Sequence, residues 1–232
     1  MRQLEIPRFQ IQDYLPFLRA TGDTNPLHTD PEHATKTPFG RVIVPGMYIL
    51  LRAEGVLPSN PGTFLLDFQE SVSLSDRVTI SYDEETSYFA VKKWNAGMPS
   101  VAVHGVVKPE HGNPRTPLAD ISPLPGSPLH ASCLAEEFLL QQDGNGHRRV
   151  PLGLLLSYLS PTLLNFYHGN LVGAYRRLEG AVLGSLHALS PGEEIQGRAQ
   201  LRKQRGKWHF LDYELSDHVG PRIIGQATLL EL

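Results

Sequence analysis

Two side chains that can move protons stand five residues apart in the stretch TGDTNPLHTD. The carboxylate of Asp23 and the imidazole of His28 can hold one water molecule between them, as proton transfer to and from a substrate requires. Gly22, Asn25 and Pro26 favour turns, so they predict a tight loop that sets the spacing of this pair. The plainer interpretation is a capping aspartate and a histidine that packs in a loop.

A backbone group is the third candidate for this chemistry. Gly46 stands at the start of the apolar segment GMYILLRAEG, which is predicted to be a short helix with Pro45 in its first turn and Gly55 at its end. An N–H group at a helix N-terminus can polarise a carbonyl oxygen and stabilise an enolate. We therefore expect carbonyl activation beside the acid–base pair.

Helical segments precede strands in the part of the chain that carries these residues. The apolar residues of IQDYLPFLRA recur at helical spacing, which predicts a helix directly before the Asp23 loop. After the Gly46 helix, β-prone stretches follow, with a turn expected at Asn95–Gly97 between the last two. These stretches read FLLDFQESVSLSDRVTISY, TSYFAVKKW and SVAVHGVVK.

A change of composition divides the chain of 232 residues. The stretch KPEHGNPRTPLADISPLPGSP contains six prolines, which remove backbone donors and exclude a central strand or a helix interior. It predicts a linker at 111–128 between an N-terminal domain at 1–110 and a C-terminal domain at 129–232.

The second segment has the same coarse order as the first. A possible strand, ASCLAEEFLL, and a loop at 143–146 precede an apolar helix at 150–167. Strands are then expected in GAVLGSLHALS, EIQGRAQLRKQ, KWHFLDYELS and RIIGQATLLEL. The pattern predicts an α+β protein with two similar halves.

The loop sequence resembles the hydratase-2 motif of the MaoC-like family, the (R)-specific enoyl-CoA hydratases and 3-hydroxyacyl dehydratases. The agreement runs G-D-x-N-P-L-H-x5-A without a gap, from Gly22 to Ala34, and the resemblance covers roughly residues 10–110. It implies a hot-dog fold, in which an antiparallel sheet wraps a central helix. Over the whole chain this implies a double hot-dog, a pseudo-dimer.

The resemblance also implies roles for the candidate residues. Asp23 and His28 would be the catalytic pair, and the Gly46 N–H would form the oxyanion hole. The substrates would be acyl thioesters of coenzyme A or of acyl carrier protein, with no metal or redox cofactor. His28 would take the α-proton of a (3R)-3-hydroxyacyl thioester, and Asp23 would act on the water or hydroxyl side.

Two other functions remain open from the sequence. The same Asp/His pair can run conjugate addition of an internal hydroxyl, which makes a cyclic ether. The chain can also be a non-catalytic acyl-binding subunit of a larger synthase.

The family commonly has His-Gly-Met at the head of the central helix, where this chain has Pro45-Gly46-Met47. The second segment carries no D-x-N-P-x-H motif. We therefore expect one active site per chain, with a degenerate C-terminal hot-dog domain that borders it. A further homodimer is possible.

A basic set flanks a predicted hairpin turn at Gly206. A solvated strand edge protected by positive charge is the favoured interpretation. The sharper one is a contact for coenzyme A phosphates or an acidic carrier protein. The residues concerned are Arg202, Lys203, Arg205 and Lys207, with Arg198 beside them.

Composition excludes several other classes. A net charge of −3 indicates no nucleic-acid partner, and no apolar stretch is long enough for a membrane span. A single cysteine, Cys133, and an N-terminus without an apolar core favour a cytoplasmic protein. A metal cluster of His28, Asp30, Glu32 and His33 is disfavoured, and no P-loop, G-x-S-x-G or G-x-G-x-x-G motif occurs.

Overall fold

Helices and strands of the first half follow the predicted order. A computed structural model describes residues 1–95, 97–109, 130–133, 140–141, 148–167, 173–183 and 192–231. The strands are β1 (Arg2–Ile6), β2 (Pro61–Phe68), β3 (Arg77–Asp83), β4 (Tyr88–Asn95) and β5 (Met98–Pro109). The helices are α1 (Ile11–Thr21), α2 (Pro31–Thr35) and α3 (Gly46–Arg52), with 3-10 turns at Pro26–His28 and Ala53–Gly55.

The second half repeats this order around a longer helical segment. Its strands are β6 (His130–Cys133), β7 (Leu140–Gln141), β8 (Arg148–Arg149), β9 (Gly173–Val182), β10 (Glu194–Arg205), β11 (Trp208–Ser216) and β12 (Pro221–Glu231). Its helices are α4 (Leu152–Ser157) and α5 (Leu159–Phe166). None of the described helices is long and apolar enough to cross a membrane.

Ten strands form one antiparallel sheet whose order is symmetric about its centre. The order is β1-β3-β4-β5-β2-β9-β12-β11-β10-β6, so each half contributes five strands in an equivalent sequence. The halves join at β2 and β9, where Leu65 lies opposite Glu179. Each half wraps a central helical segment, so the predicted α+β double hot-dog fold is confirmed.

The two central helical segments touch through their backbones. A Cβ atom on Gly153 would lie 2.2 Å from the Leu51 backbone nitrogen, so α4 approaches α3 at a distance that only glycine permits. The Gly153 N–H also donates to Glu54 Oε1 at 3.3 Å. This contact fixes the two halves relative to each other beside the sheet.

An ion pair reinforces the junction between the halves. Arg177 on β9 lies opposite Asp67 on β2, and its Nε and Nη2 donate to the two carboxylate oxygens at 2.7 and 3.2 Å. Arg176 donates from Nη1 to the Gln69 carbonyl oxygen at 2.9 Å. Both arginines therefore connect β9 to the end of β2.

The structure departs from the sequence prediction in three places. The single helix expected at 150–167 is two helices, because Pro161 has no N–H to continue the hydrogen-bond ladder past Tyr158. The strand expected in GAVLGSLHALS begins earlier, since β9 starts at Gly173. Strand β1 was not predicted. The linker at 111–128, the loop at 143–146 and most of GSLHALS lie outside the described residues.

Candidate active site

The Asp23 loop begins where α1 ends. Gly22 has φ 71°, the left-handed conformation that ends a helix and that glycine adopts without strain. The Asp23 N–H then donates to the Leu18 carbonyl oxygen at 3.1 Å, which turns the chain away from the helix axis. Asp23 is thereby held at the helix end, partly exposed.

Local hydrogen bonds shape the next four residues. Asp23 Oδ1 accepts the Asn25 N–H at 3.0 Å, and Asn25 Oδ1 accepts the Leu27 N–H at 3.1 Å. Pro26 begins the 3-10 turn that ends at His28. Asn25 thus stabilises the turn, and Asp23 keeps its second oxygen, Oδ2, for a substrate or water.

His28 is buried and held at both its backbone and its ring. Its carbonyl oxygen accepts the Tyr14 hydroxyl at 2.8 Å, and Nδ1 lies 2.9 Å from the Ile43 carbonyl oxygen. A carbonyl oxygen can only accept, so Nδ1 carries the proton and the neutral ring has its lone pair on Nε2. The imidazole is therefore oriented as a base.

Gly46 begins α3, with Pro45 as the N-cap residue. Pro45 has no N–H, but its carbonyl oxygen accepts the Ile49 N–H at 3.2 Å, so the first turn forms normally. A Cβ on Gly46 would lie 3.0 Å from Phe68 Cε1. The first N–H groups of a helix have no partner within it, which leaves that of Gly46 for a ligand.

A cavity of about 530 Å³ connects these residues and crosses the junction between the halves. From the N-terminal half it is lined by Asp23, Asn25, His28, Phe39, Gly46 and Phe68, among others. From the C-terminal half it is lined by Ser160, Leu163, Tyr167, Tyr175, Arg176 and Leu229, among others. The predicted site residues and the second half thus enclose one space.

Tyr175 is a site residue that the sequence analysis missed. Its hydroxyl lies 3.4 Å from Ser160 Oγ, and its ring lies 6.2 Å from the ring of Phe68, centroid to centroid. Burial, with the negative charge of Asp23 adding to it, raises the pKa of Tyr175 far above its ordinary value, against the effect of the Ser160 hydrogen bond. Tyr175 is a neutral donor near Asp23.

Tyr175 could not be found by motif because it belongs to the half that lacks the motif. The available signal was the β-prone stretch GAYRRLEG, which lies directly before the predicted strand. Only the pairing of β9 with β2 places this tyrosine at the Asp23 loop.

Charged side chains border the cavity at two places. Lys93 donates to the Ser71 carbonyl oxygen at 2.7 Å and lies 3.0 Å from Glu70 Oε2, a hydrogen bond that lowers the pKa of Glu70. Lys207 and Glu231 also line the cavity.

The structure separates the four predicted basic contacts. Lys207 lines the cavity, whereas Arg202 lies 3.5 Å from Asp212 in an exposed ion pair. Lys203 and Arg205 are exposed on β10 and do not line the cavity. Of these four residues, Lys207 alone is placed to contact a ligand in the cavity.

Three possible metal ligands come together outside the stretch whose metal cluster the sequence disfavours. Within the described residues, Glu193, Asp217 and His218 place ligand atoms within 4.8 Å of one another. Asp217, however, already accepts the N–H groups of Val219 and Gly220 and the side chain of Arg222. Its oxygens are committed to a turn, and the group does not line the cavity.

Comparisons with known proteins identify the first half most clearly. Residues 4–84 match the family model of the MaoC-like domain. The resemblance predicted from the loop motif is therefore confirmed, over a span that starts and ends somewhat earlier than the 10–110 expected. No curated protein sequence shows significant similarity to the chain.

Solved structures with the same fold match nearly the whole chain. A MaoC-like dehydratase has a TM-score of 0.62 at 10% identity, with 99% of this chain and 97% of the other covered. The bifunctional dehydratase-cyclase domain in ambruticin biosynthesis has a TM-score of 0.55 at 14% identity, with 99% and 89% covered. A putative oleoyl thioesterase from Lactobacillus plantarum has a TM-score of 0.51 at 10% identity, with 100% and 95% covered. At such low identity these likenesses establish the fold and not the reaction.

Proposed function

Because residues 4–84 match the family model of the MaoC-like domain, we propose that the protein interconverts (3R)-3-hydroxyacyl and trans-2-enoyl thioesters. The acyl group would be carried by coenzyme A or by acyl carrier protein. The observation that supports this most is the ring orientation of His28. Nδ1 donates to the Ile43 carbonyl oxygen, which leaves Nε2 as a base in a cavity that Asp23 and Gly46 also line.

In the dehydration direction, His28 Nε2 takes the α-proton of the thioester. The electrons of the broken C–H bond form an enolate, whose oxygen accepts the Gly46 N–H. Dehydration requires Asp23 in its acid form: Oδ2–H gives its proton to the 3-hydroxyl, the C3–O bond breaks, water leaves with that electron pair, and the enolate electrons form the double bond. The Asp23 carboxylate and the His28 imidazolium that remain return to their starting forms by proton exchange with solvent. Hydration is the reverse, with Asp23 as base toward water and His28 returning the proton to the α-carbon.

Tyr175 and Ser160 complete the site from the second half. A neutral tyrosine hydroxyl near Asp23 can donate a hydrogen bond to the 3-hydroxyl or to the incoming water. The C-terminal half would thus position the group that leaves, although it carries no catalytic loop of its own. Because one half would supply the catalytic loop and the other the facing wall, the chain would have one active site.

The position of Lys207 in the cavity wall favours a contact with a phosphate or a carrier protein. An ammonium group there can meet a phosphate of coenzyme A or of the phosphopantetheine arm. Of the basic residues predicted from the sequence, Arg202, Lys203 and Arg205 can add only long-range attraction, because they do not line the cavity.

Loss of absorbance of a conjugated short-chain enoyl-CoA tests the hydratase reaction. The wild type is expected to remove the absorbance, and Asp23→Asn is expected to abolish the reaction while thioester binding persists. Asp83→Asn is a matched control, because Asp83 hydrogen-bonds within a surface turn on β3 and does not line the cavity.

A wild type inactive with both coenzyme A and carrier-protein thioesters would exclude the hydratase. The same assay with an enoyl thioester that bears an internal hydroxyl would then test cyclisation, in which that hydroxyl adds to C3. The cavity volume and the likeness to a dehydratase-cyclase domain favour this as the second candidate. Binding without any turnover would instead indicate an acyl-binding subunit.

A further inference from the structure

Three ionisable side chains meet in the C-terminal half, away from the Asp23 loop. They are Tyr167 at the end of α5, His209 on β11 and Glu231 on β12. The Tyr167 hydroxyl lies 2.8 Å from His209 Nδ1, and His209 Nε2 lies 3.5 Å from Glu231 Oε2. We call these three residues the Tyr167 cluster. Tyr167 and Glu231 line the cavity.

The sheet and the helix hold the cluster in place. Leu229 is the partner of His209 in the β11–β12 ladder, so Glu231, two residues further along, lies on the same face as His209. The Tyr167 N–H donates to the Leu163 carbonyl oxygen at 3.0 Å, which continues the helical geometry of α5. His209 is buried and Glu231 is half-exposed.

The charge of Glu231 favours one direction for the Tyr167–His209 hydrogen bond. Within the described residues, His209 Nε2 is buried without a hydrogen-bond partner and lies 3.5 Å from Glu231 Oε2. In the neutral ring, the carboxylate attracts an N–H at Nε2 and repels a lone pair there. The favoured tautomer therefore has its N–H on Nε2, so that Nδ1 accepts and the Tyr167 hydroxyl donates to it. Burial, with the charge of Glu231 adding to it, raises the pKa of Tyr167 to about 12, so the hydroxyl keeps its proton.

A hydroxyl whose proton is already donated can only accept from a ligand. A group that pairs with Tyr167 from the cavity must therefore be a donor, such as a hydroxyl or an amide N–H. Tyr167 follows Ser160 by seven residues, which is about 10 Å along a helix. Ser160 contacts Tyr175 beside the Asp23 loop. The Asp23 loop and Tyr167 are therefore far enough apart in the cavity to contact different parts of one substrate.

We propose that the Tyr167 cluster is a subsite that accepts a hydrogen bond from a hydroxyl or amide N–H of the thioester substrate, at a point about 10 Å along the helical segment from Ser160. This inference rests on the proposed thioester function. The donor has two sources that the test distinguishes, a hydroxyl on the acyl chain or the outer end of the pantetheine arm, with its outer amide N–H and its hydroxyls. Tyr167 is the contact residue, and His209 and Glu231 position its hydroxyl.

Binding of unreactive thioethers by calorimetry tests the subsite without any turnover. One arm compares S-octyl-CoA with its ω-hydroxyoctyl counterpart, and the other compares S-octyl-pantetheine with S-octyl-N-acetylcysteamine, which lacks the outer amide. In one of the two arms, Tyr167→Phe is expected to lower the affinity for the probe that carries the donor about fivefold, since one hydrogen bond is lost. The affinity for the probe without that donor should stay unchanged. The arm that responds identifies the source of the donor.

Two further variants complete the test. Glu231→Gln is expected to lower the affinity for the same probe selectively, by a smaller factor, because it removes only the charge that orients His209. Tyr88→Phe, an exposed tyrosine on β4, is expected to change nothing. No change with Tyr167→Phe, or an equal change for both probes of each arm, would overturn the subsite. A wild type that binds the probes but never hydrates enoyl thioesters would refute the proposed function and leave the subsite standing.

Discussion

His28 Nδ1 lies 2.9 Å from the carbonyl oxygen of Ile43, fifteen residues further along the chain. This bond and the donation of the Ile43 N–H to the Leu27 carbonyl oxygen at 3.2 Å join the Asp23 loop to the segment that leads into α3. Gly46 follows Ile43 by three residues, so the proposed base and the proposed oxyanion donor are held by the same short piece of chain. Any change that releases the imidazole from Ile43 also frees its tautomer.

Replacing His28 by asparagine is expected to remove the hydratase activity while leaving the stability of the fold nearly unchanged. The asparagine amide can still donate to the Ile43 carbonyl oxygen but has no basic nitrogen, so hydratase activity should fall at least about 100-fold. The free energy of unfolding, from urea titration, should change little. His28→Ala should lose activity equally and also about 1–3 kcal/mol of stability, because the buried carbonyl loses its donor. Residual activity above a tenth of wild type in His28→Asn would remove His28 from the mechanism.

Tyr175→Phe is expected to reduce kcat more than it changes KM. The hydroxyl near Asp23 would assist the leaving water and contributes little to holding the acyl chain. We expect a loss of about tenfold in kcat, the value of one hydrogen bond that acts on the reacting group. Steady-state kinetics with the same enoyl thioester measures both constants. The matched change Tyr88→Phe controls for general effects of removing a tyrosine hydroxyl, and an equal response of the two variants would contradict the role.

Gly153→Ala is expected to destabilise the protein by about 3 kcal/mol, at the upper end of overpacking costs. The added Cβ would lie 2.2 Å from the Leu51 backbone nitrogen, so α3 and α4 must separate. Gly55→Ala is the control, because a Cβ there has no heavy atom within 4 Å. Thermal or urea unfolding measures the stability of the two variants. Equal stabilities would show that the two halves are not packed backbone to backbone.

Alkaline pH is expected to unfold the protein as its tyrosines ionise. Burial is the main cause that raises the pKa of five tyrosines above the ordinary 10.0, and for Tyr14 the value is about 12. Because each folded pKa is above the unfolded one, this stabilisation is complete below about pH 10 and is lost as the pH rises toward 12. The five are Tyr14, Tyr48, Tyr167, Tyr175 and Tyr213.

Tyrosinate absorbance and circular dichroism, followed together against pH, measure this behaviour. These five tyrosines should ionise only in the transition in which the secondary structure is lost. Ionisation of all eight tyrosines of the chain near pH 10 with the fold intact would contradict the expectation.

Local sequence determined the loop and the helix that positions it. The helical spacing of Ile11, Tyr14, Leu15 and Leu18 predicts α1, which buries Tyr14 and Leu18 together with Phe17. Gly22 ends that helix in the left-handed conformation that suits glycine. Turn chemistry and helix periodicity act over a few residues, so they can be recognised in the chain itself. The MaoC-like resemblance rests on the same short stretch.

Tertiary structure alone decided what closes the site. Tyr175 and Ser160 lie more than 130 residues from Asp23, and the β2–β9 pairing brings them to it. The same pairing gives Arg177 its partner Asp67 and places the Tyr167 cluster at the other end of the cavity. No local pattern encodes these distances, because strand pairing between the halves depends on the burial of both halves of the sheet at once. The Asp23 loop and the MaoC-like resemblance were therefore predictable from the sequence, whereas the cavity wall from the second half was not.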